Sequence, residues 1–257
     1  MDVRRLGWML LLLPMIGCGL PTLQGGVRYG TFEPTGDFGI SSSGVVAQSD
    51  VEDAGFDRDD SVPSATIDFK WGAPHFTLSA LQASFEGNGR LDAEVSQGGN
   101  TIPAGANVRS EMDLDIYSGI VTFDLLPSSF ELGIGGGVTA FDLDASIRDR
   151  DTGIEVSTDE IAPIPVVALR AGVEFGDFAL SGLVSGMDID VNDVDVAFYD
   201  VDVYARWRFI GGNKRVRGSL LAGWRQIGAD FDYEDSNDDV EGDLTMFGPY
   251  IGLEIAF

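Results

Sequence analysis

The chain has one cysteine, one histidine, and 16 Lys and Arg against 42 Asp and Glu. Each scarcity removes a class of protein. A single thiol, Cys18, cannot close an intramolecular disulfide, so no framework of bridges holds this chain. A formal net charge of −26 leaves no basic field for phosphate contacts, and nucleic acid is excluded as an expected partner. With His75 alone available as an imidazole base, no nucleophile–base pair can be nominated; the expectation is a protein that is not an enzyme and needs no cofactor. Past the N-terminus no run of about 18 apolar residues occurs, so no helix in the body of the chain is long and apolar enough to span a bilayer. Proline is sparse beside 34 glycines, which favours one β-rich unit over two domains joined by a linker.

What is present is alternation. Residues 65–71 put Ala65, Ile67, Phe69 and Trp71 on one face and Thr66, Asp68 and Lys70 on the other. Residues 130–140 set Phe130, Leu132, Ile134 and Val138 against Glu131, Gly133, Gly135, Gly137 and Thr139. The pattern recurs in residues 75–85, 111–125, 161–175, 178–187, 194–209 and from Val216 on, with a register switch near Gly228 that suggests a bulge. Residues 38–47 read as a weaker strand. Pro163 and Pro165 are awkward in a central strand and suit its mouth end or a bulge. Tight turns at Gly72, Pro127, Gly176 and Gly211 alternate with mostly longer polar connections at Asp50, Gly87, Ser146, Asp190 and Tyr233.

The last stretch, Asp243 to Phe257, alternates to its end. The ending Tyr250-x-Gly252-x-x-Ile255-x-Phe257 resembles the C-terminal strand signal of bacterial outer-membrane β-barrels, through which barrel-assembly machinery is engaged. With the alternating strands and the two classes of connection, the chain is similar to the small OmpA- and OmpW-like barrels of Gram-negative bacteria. The resemblance implies an all-β fold: a closed antiparallel transmembrane barrel of about ten strands, or eight if the first hairpin lies outside the wall. It also implies residence in the outer membrane among lipid and lipopolysaccharide. A soluble secreted ligand-binding barrel, its apolar register turned inward, is the competing architecture.

At the N-terminus, Arg4 and Arg5 precede an apolar run ending at Gly17, the make-up of a secretory signal. Met15-Ile16-Gly17-Cys18 resembles a lipobox, which implies acylation of Cys18; ordinary cleavage nearby, with Cys18 discarded or free, is the alternative. The expected organisation is a signal over residues 1–17, a periplasmic segment over 18–34 and the barrel over 35–257.

In such a barrel the polar register faces the lumen. It collects Asp68, Lys70, Glu111, Asp113, Asp115, Glu131, Glu174, Asp200, Asp202 and Glu254 with Arg170, Arg206, Arg208, Arg217 and Arg225. Both signs are present, so ion pairs that plug the interior are expected. This points to a structural or surface-interaction role, with a narrow cation-preferring small-solute channel as the alternative. Asp188-x-Asp190-x-Asn192 resembles the start of a calcium loop, but Asp193 stands where glycine is needed and Tyr199 where a bidentate Glu is needed, so no metal site is assigned. The glycines at 133, 135 and 137 are expected to leave room for lumenal side chains.

Overall fold

The computed structural model describes residues 21–42, 48–50, 61–91, 94–97, 100–125, 130–191, 194–211, 216–234 and 238–257. The signal, Cys18 and most of the connection after Asp50 lie outside them. The described elements are β1 (Thr22–Gly30), β2 (Glu33–Ser42), β3 (Gln48–Asp50), β4 (Val62–Lys70), β5 (Pro74–Arg90), β6 (Val95–Gln97), β7 (Asn100–Ile102), β8 (Asn107–Asp124), β9 (Phe130–Asp149), β10 (Glu155–Phe175), β11 (Phe178–Val191), β12 (Val194–Ile210), β13 (Arg217–Glu234) and β14 (Asp238–Ala256). Every wall strand pairs antiparallel with its neighbours, and β1 pairs with β14, which closes a ten-stranded barrel.

Because the side-chain period of a strand is two, closure requires a stagger that returns each residue to its own face. Partner by partner, Leu23 leads through Phe69, Phe76, Val121, Gly136, Val167, Gly186, Tyr199, Gly228 and Thr245 to Thr35, twelve residues further along the first strand. For ten strands that stagger corresponds to a tilt of about 40° and a wall radius of about 10 Å.

The first wall strand corrects the expected organisation. It begins at Thr22, within the segment expected to precede the barrel. It is one strand broken at Thr31–Phe32: β1 pairs with β4 and the lower part of β14, and β2 with the upper part of β14. Gly25, Gly26 and Gly30 hid its alternation. At the break Phe32 turns into the barrel and is buried, and β14 admits it at Gly248, where a Cβ would meet Thr31 O and the Phe32 ring. Of the strand expected over 38–47, residues 38–42 belong to β2 and the rest lie outside the described residues.

The outer surface carries the apolar register. Trp71, Phe130, Phe175, Phe209 and Phe257 all point outward beside the short turns or the C-terminus. Phe175, Phe178, Trp207 and Phe209 touch ring to ring at 6.3–6.4 Å. An inward-packed soluble barrel would bury these residues; a lipid-facing one displays them as an interfacial girdle. The end with the short turns and the C-terminus is the periplasmic end.

Away from that end the strands outrun their hydropathy pattern. The connection expected over residues 146–160 shrinks to a turn at 150–154, and β13 and β14 extend through most of the expected loop at 233–242. Above lipid the outer face has no reason to be apolar, so the alternation fades while the hydrogen-bond ladder continues. The turn is pinned by Asp149, which accepts hydrogen bonds from Thr152 Oγ1 (2.6 Å) and Asp151 N (2.8 Å). These bonds, the Thr152 hydroxyl first, hold its carboxyl below the usual range. The small hairpin β6–β7 lies against β10 and touches β2 on the opposite side of the wall, so it reaches across the outer mouth.

Three local details have physical causes. The described β10–β11 ladder runs from Val167↔Gly186 to Phe175↔Phe178 and stops below Pro165 and Pro163, which have no N–H to give. The bulge expected at Gly228 is absent: β13 pairs without a shift there, and the irregularity falls at Arg208/Ile210 beside the turn. Gly228 instead lies under the Tyr199 ring. At Gly135 and Gly137 the reason for glycine is backbone approach: a Cβ would run into Val121 O and Gly119 O of β8.

Replacing Gly135 or Gly137 by Ala is therefore expected to cost about 1–3 kcal/mol or more. The readout is a lower folded fraction in gel mobility with and without boiling. Gly119→Ala, whose Cβ would meet only Leu78 Cδ2 at 3.6 Å, is expected to fold normally.

Candidate functional site

The lumen changes character along its axis. Nearest the periplasm a cavity of about 290 Å³ is lined by the charged ends of the strands. Lys70 Nζ bonds Asp124 at 2.6 Å and Glu131 at 2.9 Å. Arg206 spans Glu174 at 2.7 Å and Glu254 at 3.2 Å. Arg208 and Arg217 line the same space. Asp68, on β4, accepts from Thr77 Oγ1 at 2.7 Å and lies 3.2 Å from His75 Nε2 and 3.6 Å from Arg170 Nη2. Arg170 also donates to Thr77 Oγ1 and, at 3.4 Å, to Thr122 Oγ1.

One layer deeper the pairs are buried. Arg28 Nη1 lies 2.5 Å from Asp202 Oδ2 and donates to Tyr250 Oη at 3.1 Å, while Tyr250 donates to Asp202 Oδ1 at 2.6 Å. The guanidinium sits 4.9 Å from the ring centres of both Tyr204 and Tyr250, so two π faces and a carboxylate enclose it. Two glycines make the space: a Cβ at Gly252 would meet Arg28 Cγ at 3.1 Å, and one at Gly223 would meet the Tyr250 ring. Beside this cluster Arg225 forks onto Asp200 at 3.0 and 2.8 Å.

Above these layers the inward register turns apolar. Phe32, Val62, Leu81, Phe85, Met112, Leu114, Ile116, Ile120, Ile164, Val166, Phe198, Ile227 and Met246 form one buried cluster inside the wall. A second cluster joins Val95 and Ile102 of the β6–β7 hairpin to Leu91, Val108 and Val156.

This arrangement corrects three assignments. Glu111, Asp113 and Asp115 point out of the barrel, and Met112, Leu114 and Ile116 point in. A lumen polar throughout would put the acidic register of β8 inside. In fact Tyr117 marks the top of the outer apolar band, and the carboxylates stand above it in water. There Asp113 pairs across from Asp144 and Asp115 across from Asp142. The remaining expected lumenal residues, Asp68, Lys70, Glu131, Arg170, Glu174, Asp200, Asp202, Arg206, Arg208, Arg217, Arg225 and Glu254, lie on the inner register. Of the C-terminal signal, Tyr250 and Gly252 face the lumen and shape the Arg28 site, while Ile255 and Phe257 face outward.

Sequence reasoning missed Arg28, which it placed in the preceding segment, and Asp124, Thr77 and Thr122. The usable signal for Arg28 was Val27 and Tyr29 on either side of it, an outward pair flanking an inward residue. His75, beside the Gly72 turn, is buried inside the wall close to the periplasmic end.

No family model matches the chain, and no curated protein matches it. Among solved structures the chain is similar to the outer membrane protease OmpT from Escherichia coli, with a TM-score of 0.59 and 12% identity over 92% of this chain and 97% of that one. It also matches the toluene transporter TodX of P. putida, with a TM-score of 0.32 and 10% identity over 94% and 89% of the two chains. The transport unit of the autotransporter AIDA-I from Escherichia coli matches with a TM-score of 0.37 and 9% identity, over 96% and 92%. With the closed wall and the outward apolar band, the OmpT likeness establishes the fold of an outer-membrane β-barrel.

Removing the Asp202 carboxylate leaves the buried Arg28 guanidinium without its ionic partner. Asp202→Asn is expected to cost about 3–5 kcal/mol, read as a lower urea midpoint in detergent by tryptophan fluorescence. Arg28→Leu combined with Asp202→Leu is expected to cost less than the two single changes added together.

Proposed function

We propose that the protein is a closed, non-conducting outer-membrane barrel whose role is structural and whose acidic outer face is its interaction surface, in contact with outer-leaflet lipid and lipopolysaccharide. The observation that carries this reading is the apolar cluster inside the upper wall. An aqueous pore needs a continuous polar path, and side chains such as Phe85, Ile116 and Met246, each almost wholly buried, occupy the space such a path would need. The β6–β7 hairpin across the outer mouth supports it, as does the pairing of charges in the lower lumen. A ten-stranded barrel is narrow enough for its own side chains to fill most of it. Assembly would proceed through the C-terminal strand, whose Phe257 stands outward at the periplasmic end.

The reading is also non-enzymatic. OmpT is named as a protease, but that likeness carries the fold alone. His75, the single histidine of the chain, is tied to Asp68 beneath the apolar cluster, away from the outer mouth where an extracellular substrate would arrive. Refolded protein is expected to leave casein and short basic peptides uncut over hours; turnover that survives purification and tracks the folded band would overturn this.

Reconstitution in planar bilayers tests the closed lumen. The expected result is a baseline without unitary steps from protein verified as folded by its heat-shifted mobility. Stable steps with cation preference would instead establish a narrow channel.

A further inference from the structure

In the periplasmic cavity the carboxylates are concentrated on three of the cations, Lys70 holding Asp124 as well as Glu131 and Arg206 holding two, so that two arginines are left without a close partner. Four carboxylates line it, and each is taken: Asp68 by His75 and Arg170, Glu131 by Lys70, Glu174 and Glu254 by Arg206. Arg208 and Arg217 remain. Arg208 has only Asp177 at 4.0 Å, a largely exposed carboxylate on the adjoining turn, and such a pair contributes little. Arg217 makes no ion pair among the described residues.

The two side chains come together. A Cβ built on Gly211 would touch Arg217 Cγ at 3.1 Å and Arg208 Cδ at 3.2 Å, so the stems converge over the same glycine from adjacent strands. Both residues are partly buried and both line the cavity. Two arginines whose stems start this close and whose side chains line one cavity can direct both guanidiniums to a single anion.

The sequence around them is the reverse of the rest of the chain. Between Asp202 and Asp230 there is no acidic residue, while six Lys and Arg occur. Within that run Arg225 is held by Asp200 and Arg206 by Glu174 and Glu254, while Arg208 and Arg217 flank the turn without such partners.

We propose that Arg208 and Arg217 form a binding site, open to the periplasm and blind toward the outside, for a small soluble oxyanion bearing phosphate or clustered carboxylates. Two guanidiniums supply forked N–H donors suited to either group, and Arg206 behind them is held by Glu174 and Glu254. Its blind outer end rests on the closed lumen proposed above, whereas anion binding itself does not, so dialysis and bilayer recording can fail separately.

The test is equilibrium dialysis of the folded full chain in detergent against inorganic pyrophosphate and, separately, citrate. One saturable site per barrel is expected for at least one of them. Arg208→Gln and Arg217→Gln should each weaken it about tenfold, and the double variant should abolish it, whereas Arg109→Gln, paired with Glu86 and Glu111 on the outer extension, should change nothing. Binding of pyrophosphate alone would assign phosphate chemistry, and of citrate alone carboxylate chemistry. No saturable binding of either probe up to about 10 mM, or binding unchanged in both single variants, would overturn the proposal. Each variant is scored only on its heat-shifted folded fraction, and the single variants at the rim keep the test decisive if the double variant does not fold.

Discussion

The structure depends on one constraint: a sheet surrounded by lipid has no water to satisfy its edges, so it must close on itself. Here closure falls on β1 and β14, and the chain secures that seam from inside. Arg28 of β1 reaches Tyr250 of β14 and Asp202 of β12, so residues that close the wall also form a buried charge cluster. The glycines at 252 and 223 leave room for the guanidinium and for the tyrosine over it. A charge this deep is tolerated because a carboxylate, a hydroxyl and two aromatic faces replace its water.

From that seam the rest follows in layers. Below it, charged strand ends meet periplasmic water; above it, the inner register becomes apolar and packs like the core of a soluble protein. The outer register runs the opposite course, apolar against lipid and acidic beyond Tyr117. The two faces of one strand thus exchange character at the membrane boundary. On β8 the consequence is plain: Met112 and Leu114 are interior, and Asp113 and Asp115 are outside.

That exchange explains what could and could not be read in advance. In the lipid band alternation has one meaning, and there the reading of β4, β9 and β12 placed residues such as Asp68, Glu131, Asp202 and Arg206 on the inner register. Past the band a water-facing outside and a dry inside give the same alternation with its sense reversed, so Glu111 stands outside where a polar lumen would have put it within. The glycines of β9 were legible as a bare inner face, but the carbonyls of β8 that require them belong to a neighbouring strand and leave no mark on β9 itself.

The sequence by itself determined the class of fold: the two-residue period, the alternation of tight turns with longer connections and the aromatic ending permit little besides a closed antiparallel barrel. Tertiary structure decided the rest. The twelve-residue stagger, the break at Thr31–Phe32 that makes Thr22 the start of the wall, and the meeting of Arg28 with Asp202 and of Arg208 with Arg217 all arise between strands. The physical reason is that periodicity is a property of one strand, whereas register, closure and the pairing of charges are properties of neighbours, and neighbours exist only once the barrel has closed.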